Sequence, residues 1–385
     1  MNEPRRIAVV INLDWTLKHH HEVFAGTQIY ADKQGWRCSL WPFAPEVVDK
    51  EGRNLYDGIV GRVHPELEEK ARSAGIPLVN VWVSSPCQNL PGVYPDLRHA
   101  GKMAAEHLHA RGFRKLGYVG LSRAASSQQL QAGLRESAKE QDLKVDSLLV
   151  STSFSDSTRS WERFQKDLRT WAAKLVPPIG VLAINDKVAR YLINAVVELG
   201  HSVPEDVAVI GLENEEVICN NPSPSITSID LGDRRVGELA CELLEKLMDG
   251  ETPPTQPITL PPSSLIPRKS TDSFKVDDEI VAEALKFIAE QSHRPIKVRD
   301  IVAQVPLSWR SLERRFQICR GSTINKEITR FRIERAKRLL AETDMLVKQV
   351  AEASGFANTR RLCEVFRRSE DMTPEQYRSQ RVLQS

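Results

Sequence analysis

Two groups of side chains near the C-terminus have the chemistry to grip a polyanion. Ser308, Trp309, Arg310, Ser311, Arg314 and Arg315 form one, and Asn358, Thr359, Arg360 and Arg361 form the other. Guanidinium groups fork onto phosphate oxygens or the O6/N7 edge of guanine, while Ser, Thr and Asn hold phosphates or reach base edges. Both groups sit in one local pattern, an amphipathic helix, a turn, and a second helix rich in Arg. The copies are residues 301–316 (IVAQVPLSWRSLERRF) and 350–366 (VAEASGFANTRRLCEVF). A helix, a tight turn and a basic second helix fit a major groove, and two copies can read adjacent groove segments of double-stranded DNA. In the first copy Trp309, Leu312 and Phe316 recur at i, i+3 and i+7 as an apolar stripe, with the other polar residues off it. Trp309 thus counts as stripe by spacing and as a DNA contact by chemistry. In the second, Leu362, Val365 and Phe366 face inward, and Asn358, Thr359, Arg360, Arg361 and Glu364 face out. One such helix would pass for a solvated charged face; two in a repeated pattern argue for DNA.

A second set of candidates lies earlier, each just past an apolar run: Asn12, Asp14, Ser122, Asn185, Asp186, Glu213 and Asn214. The runs are strand-like at residues 7–11, 58–60, 78–83, 116–119, 180–184 and 207–210. Helical periodicity fills residues 22–33 and 100–111 between them. This alternation predicts doubly wound parallel sheets with helices on both faces. Ligands of such sheets sit at the C-terminal strand ends, where these polar residues fall.

Composition sets the outer bounds. The 385 residues predict two or three domains, and 41% hydrophobic content suffices for sizeable cores. The net charge of +2 is unevenly spread. Residues 275–385 hold 22 Lys and Arg against 16 Asp and Glu, and residues 1–274 hold 31 against 35. A basic module on a mildly acidic body fits a polyanion partner. No signal peptide or membrane span is predicted. The six Cys contain no CxxC pair, which predicts reduced thiols in a cytosol.

Three segments carry a family resemblance: VPEDVAVIGLENEE (203–216), PSITSIDLGDRRVGELACELLEKLMDG (224–250) and LPPSSLIPRKST (260–271). With residues 93–120 and 180–189, they resemble the effector domain of LacI/GalR-type regulators over roughly residues 5–272. The resemblance implies a periplasmic-binding-protein-like domain of two α/β lobes, joined by three crossovers and closing on a small ligand. That family's N-terminal DNA-binding headpiece has no counterpart, since the first strand starts at residue 7. The resemblance also carries over site positions. Asp186 matches the acid that binds sugar hydroxyls, Asp96 a second ligand-facing acid, and Asn214 a polar contact near a crossover. Asn12 and Trp15 match the first-strand loop over the pocket, where Trp15 is suited to stacking on a pyranose. Asp96 and Asp186 also read as helix caps. Sugar-binding relatives often carry Arg on the helix after residues 116–120; the best-matching position is Leu130, leaving Gln128, Gln129 or Arg123 to donate instead. His19, His20 and His21 are adjacent and cannot converge on one metal from a helix, so they read as a polar loop before the first helix. With no Ser-His-Asp order, P-loop or GxGxxG, no catalytic residue, metal or cofactor is expected.

Residues 250–267 are dense in Pro and should stay extended around a final strand, with a polar hinge at 273–278. A helix should start near Asp277-Asp278-Glu279, burying Ile280, Ala284, Phe287 and Ile288. Beyond it the chain resembles the AraC/XylS-type DNA-binding domain over about residues 278–382. The matching residues include Leu312-Glu313-Arg314-Arg315-Phe316, Arg332-Ile333-Glu334-Arg335-Ala336, Gly355-Phe356 and Thr373-Pro374-Glu375-Gln376-Tyr377-Arg378. The resemblance implies an all-α domain of seven helices, two helix-turn-helix units joined by a long connector at about residues 325–342. The first unit departs from the pattern. Pro306 stands where the second has Gly355, and Val302 where it has Ala351, so its turn must be built without a positive φ.

The domains expected are therefore 1–272, a ligand sensor, and 273–385, a DNA-reading head. This order resembles that of regulators of bacterial pentose catabolism. The resemblance implies a cytoplasmic, dimeric transcription activator that meets operator DNA and RNA polymerase and answers a sugar, with D-xylose favoured. Three rivals are an activator with a vestigial pocket, a transport binding protein, which would need a signal peptide, and a sugar-processing enzyme.

Overall fold

Continuous apolar runs place the strands between covering helices. A computed structural model describes residues 3–382 apart from 15–17, 88, 152–153, 155, 221–222, 273–277 and 321. The first lobe comprises β1 (Arg6–Val10), α1 (Lys18–Gln34), β2 (Arg37–Trp41), β3 (Gly58–Gly61), α2 (Pro65–Ala74) and β4 (Leu78–Asn80). Its strands are parallel in the order β2-β1-β3-β4. β1 and β3 are buried almost throughout, as strands covered on both faces must be.

β5 (Val93–Pro95) leads through Asp96 into the second lobe, which opens with α3 (Leu97–Ala110), β6 (Lys115–Leu121), α4 (Ala125–Glu140), β7 (Lys144–Val150) and α5 (Thr158–Ala172). It continues with β8 (Ile179–Ala183), α6 (Asp186–Glu198), β9 (Val207–Leu212), α7 (Glu216–Cys219) and β10 (Thr227–Asp230). The chain then returns to the first lobe as α8 (Asp233–Met248), which packs along α1. The two helix backbones touch, since a Cβ on Gly26 would stand 1.9 Å from the Arg234 carbonyl oxygen. β11 (Ile258–Leu260) pairs in parallel with β5, and β12 (Ser264–Ile266) pairs antiparallel to β10. The second sheet is thus β12-β10-β9-β8-β6-β7.

The three expected crossovers fall at Asp96, Gly232 and Pro261-Pro262. Three readings need correction. The Pro-rich stretch makes two short strands, one in each lobe, because the Pro pair switches lobes between them. The run at 78–83 is strand only through Asn80. The three His lie in the first turn of α1, where His19 Nδ1 meets Asp233 Oδ1 at 2.7 Å and His20 Nδ1 meets the Asn12 carbonyl at 2.8 Å. All six Cys are free.

Seven described helices follow: α9 (Glu279–Gln291), α10 (Val298–Val302), α11 (Trp309–Arg320), α12 (Ile324–Glu342), α13 (Val347–Ala353), α14 (Thr359–Glu370) and α15 (Pro374–Val382). Asp278 caps α9, accepting from the Ile280 and Val281 amides; most of the expected hinge lies outside the described residues. α9 buries Val281, Ala284, Leu285 and Ile288, with Ile280 and Phe287 at the margin. α12 is the long connector. Ile324, Ile328 and Phe331 enter the core of the first helix-turn-helix unit, and Ile333, Ala336 and Leu340 enter that of the second. Among the described residues no helix is long and apolar enough to cross a membrane.

Candidate functional site

Parallel strands aim their C-terminal ends at one edge of each sheet, and the two edges face one another. Across the gap Lys18 Nζ donates to the Asn214 carbonyl at 2.9 Å, and Ser84 Oγ donates to Ser126 Oγ at 3.3 Å. On the first-lobe wall Asn12 follows β1, Arg62 follows β3 and Trp82 follows β4. Asn12 Oδ1 accepts from the Asp14 amide at 2.8 Å, which shapes the loop. Trp15 lies outside the described residues.

The second-lobe wall is built around Asp186. It is almost wholly buried as the first residue of α6, while Asn185 caps that helix. Its Oδ1 accepts from the Ser228 hydroxyl at 2.6 Å and its Oδ2 from the Glu215 amide at 2.7 Å. Burial pushes its carboxyl up to about 6. The Glu215 bond fixes a turn in which Glu213 (φ 92°) and Asn214 (φ 51°) both take left-handed backbone. Asn214 is a hub. Its Nδ2 reaches Asp230 at 3.3 Å, its Oδ1 accepts from Arg268 at 2.8 Å, and its amide meets Ser228 Oγ at 3.0 Å. Burial, then the negative charges of Asp186 and Asp233, raise the Glu213 carboxyl well above the usual range.

Asn12, Asp186 and Asn214 therefore come together at the facing edges. Asp96 sits at the first crossover as the N-cap of α3, accepting from the His99 amide at 2.9 Å. Gln128 is on the exposed side of α4. Leu130 is fully buried where α4 meets α3, so its apolar character belongs to the core and carries no information about the cleft. Sequence alone did not single out Lys18, Arg62, Trp82, Asp230 or Arg268, and it weighed His20 only as a metal ligand. The strand-end rule already pointed to Arg62, one residue beyond β3.

The opposite end of the chain presents the basic helices. At the start of α11 the Ser311 amide donates to Ser308 Oγ at 3.3 Å. Leu312 and Phe316 are fully buried, yet Trp309 is 54% exposed, so it leaves the stripe its spacing suggested. Arg310, Ser311 and Arg314 are exposed beside it. Arg315 turns back, with Nη1 on Asp278 Oδ2 at 2.9 Å, and so ties α11 to the cap of α9. In α14 Asn358 caps the helix by accepting from the Arg361 amide at 2.8 Å. Thr359 is half-buried, while Arg360 and Arg361 project beside Glu364 at 3.1 and 3.4 Å. Those surface pairs are worth little, so exchanging them for phosphate costs little.

The two turns differ as their residues require. Gly355 has φ 75°, and a Cβ there would stand 2.1 Å from the Ser292 carbonyl oxygen. No residue from 303 to 308 has a positive φ. Arg332 donates to the carbonyls of Ser292, Arg294 and Ile296, and Arg335 to that of Ala353, so the connector staples both units. The head also docks on the second lobe. Arg111, just past α3, pairs with Glu334 at 2.7 Å, and Arg320 and Arg330 both donate to the Ala110 carbonyl.

Known proteins match both parts of the chain. A periplasmic binding protein-like domain matches residues 105–271, and a helix-turn-helix domain matches residues 301–380. The xylose operon regulatory protein of Escherichia coli (strain K12) is 27% identical over 97% of this chain and 96% of its own length. That of Haemophilus influenzae is 29% identical over 75% of each chain. The structure of the xylose-binding transcription activator xylR superposes with a TM-score of 0.61 at 25% identity, over 98% of both chains. A LacI family regulator from Enterococcus faecium with bound ribose shares the fold of 70% of this chain, with a TM-score of 0.56 at 21% identity. The chain thus carries a periplasmic binding protein-like domain followed by a C-terminal helix-turn-helix domain, and along nearly its whole length it is similar to the xylose operon regulatory proteins.

Proposed function

We propose that this chain activates genes of D-xylose catabolism, with residues 1–272 as sensor and 273–385 as reading head. The observation that carries the reading is the pairing of two features in one chain. Polar residues line the strand ends where the two lobes meet, and two helix-turn-helix units present Arg310, Arg314, Arg360 and Arg361 outward. The names of relatives that match three quarters or more of both chains, all xylose regulators, support D-xylose as the effector. In this reading Asn12, Trp15, Asp186 and Asn214 surround the sugar, while Asp96 and Gln128 stand at the margin. Ser308, Trp309, Arg310, Ser311 and Arg314 contact DNA from α11, as do Asn358, Thr359, Arg360 and Arg361 from α14. Arg315 acts by holding α11. The protein works in the cytoplasm as a homodimer, beside RNA polymerase, and performs no catalytic step.

One observation favours a ligand-independent activator. The cleft already satisfies itself, since both Asp186 oxygens accept protein donors and Lys18 already spans the lobes. A thermal-shift screen of the full chain against pentoses and hexoses separates the two. A sugar that binds only the folded state at a hundred times its Kd stabilises it by about 2.7 kcal/mol. Unfolding temperatures that no sugar moves would leave the ligand-independent reading standing.

A further inference from the structure

The first-lobe wall holds a cation that no sugar-site expectation included. The Arg62 guanidinium lies 4.3 Å over the Trp82 ring, and its Nη1 is 3.2 Å from His20 Nε2. Each neighbour is itself fixed. His20 Nδ1 faces the Asn12 carbonyl, so the proton sits on Nδ1 and the Nε2 lone pair turns to Arg62. Burial brings His20 down to about 4, which keeps that acceptor available at neutral pH. The Trp82 amide donates to Asn80 Oδ1 at 3.1 Å, and the His64 ring packs 4.7 Å away. With Arg62 over it, Trp82 orients the cation rather than offering that face to a sugar.

Resting on the reading of a sugar-sensing cleft, we propose that Arg62 is its specificity-determining donor. Arg62 engages neighbouring hydroxyl oxygens of an uncharged polyhydroxy ligand, whose other hydroxyls donate to the acid wall around Glu213 and Asp186. The charges argue for this ligand class. The first-lobe wall offers donors, Lys18 and Arg62, and the second offers acceptors, Asp186, Glu213 and Asp230. A hydroxyl both donates and accepts and so serves both walls. An anionic ligand would face the clustered acids. The rigid guanidinium fork spans adjacent oxygens, which an ammonium cannot do. It also supplies the donor that position 130, buried in the core, does not.

The test is calorimetric titration of the full chain, its Arg62→Ala and its Arg62→Lys variants. The probes are D-xylose, L-arabinose, D-ribose, singly deoxygenated forms of the tightest binder, and the anion D-xylonate. The wild type should bind an aldose with an affinity almost independent of salt. Arg62→Ala should weaken that binding on the order of 10- to 100-fold, the worth of hydrogen bonds to a charged donor, and Arg62→Lys should restore only part. At least one deoxygenation that penalises the wild type should cost Arg62→Ala much less. Should Arg62→Ala unfold, Arg62→Lys decides by the same comparison. Unchanged aldose binding in the variants, equal deoxygenation penalties, or a preference for D-xylonate would overturn the role of Arg62. If no aldose binds the wild type, the sugar-sensing reading itself fails.

Discussion

Replacing Asp186 with Asn removes a charge from a site that water hardly reaches, and the consequence can be worked out from its surroundings. Burial raises the carboxyl from 3.8 to about 6 in the folded chain. A carboxyl with a raised folded pKa favours folding while protonated. That contribution is complete below 3.8 and is lost as pH rises through about 6. Burying Asp186 therefore costs roughly 3 kcal/mol at pH 8, where it stays ionised, and about half that at pH 5, where the folded chain must take up its proton, at about 1.4 kcal/mol per pKa unit. Asn escapes this cost but offers one oxygen to two donors, the Ser228 hydroxyl and the Glu215 amide. The orphaned donor costs about 1–3 kcal/mol whatever the pH. The stability of Asp186→Asn relative to wild type should thus improve by roughly 1–2 kcal/mol between pH 5 and pH 8. In a lobe of this size that is about 3–6 °C in calorimetric unfolding. Parallel pH profiles for the two proteins would refute the buried-charge account. Asp186→Ala orphans both donors and should destabilise at either pH, so loss of sugar binding in that variant alone would not identify a ligand contact.

Gly355→Ala should cost the head more than the roughly 1–2 kcal/mol of a left-handed Ala, because its Cβ also meets the Ser292 carbonyl; urea unfolding checks this. In selections on randomised operators, Arg360→Ala should relax base preference at one or two positions, costing about 1–3 kcal/mol on the preferred site. Arg314→Ala should weaken specific and random DNA alike and lower the salt slope by about one unit. The reverse pattern would exchange the roles of the two helices. Glu334→Ala removes the carboxylate beside buried Arg111, which keeps His107 Nδ1 at 3.0 Å, and should weaken the docking of head on second lobe by about 1–3 kcal/mol. Replacing both partners by apolar residues should recover most of that loss in the same unfolding assay.

Much of this architecture was legible because it rests on periodicity. Doubly buried strands such as β8 and β9 read as unbroken apolar runs, and Leu362, Val365 and Phe366 mark the core face of α14 by spacing alone. Edge strands such as β2, exposed along nearly all its length, carry no such signal. Spacing also misplaced Trp309, because a residue in the first turn of a helix can satisfy the stripe and still overhang the core. The cleft was harder. The strand-end rule locates Asp186, but its orientation depends on Ser228 and Glu215, which are distant in sequence. The bond of Arg315 to Asp278 could not be read from spacing, because its partner caps another helix. Leu130 looked like a missing donor because helix phase was inferred from a resemblance, whereas α3–α4 packing decides it.

In the proposed function, a sugar held between the lobes changes how the head binds DNA. It is tested most directly by fluorescence anisotropy of the full chain on an operator duplex selected from random sequence, titrated with and without saturating D-xylose. The account predicts a change in affinity with D-xylose that Arg62→Ala suppresses, while binding without sugar keeps its steep fall with salt. Identical isotherms with and without every pentose tested, from protein that binds the duplex well, would contradict it.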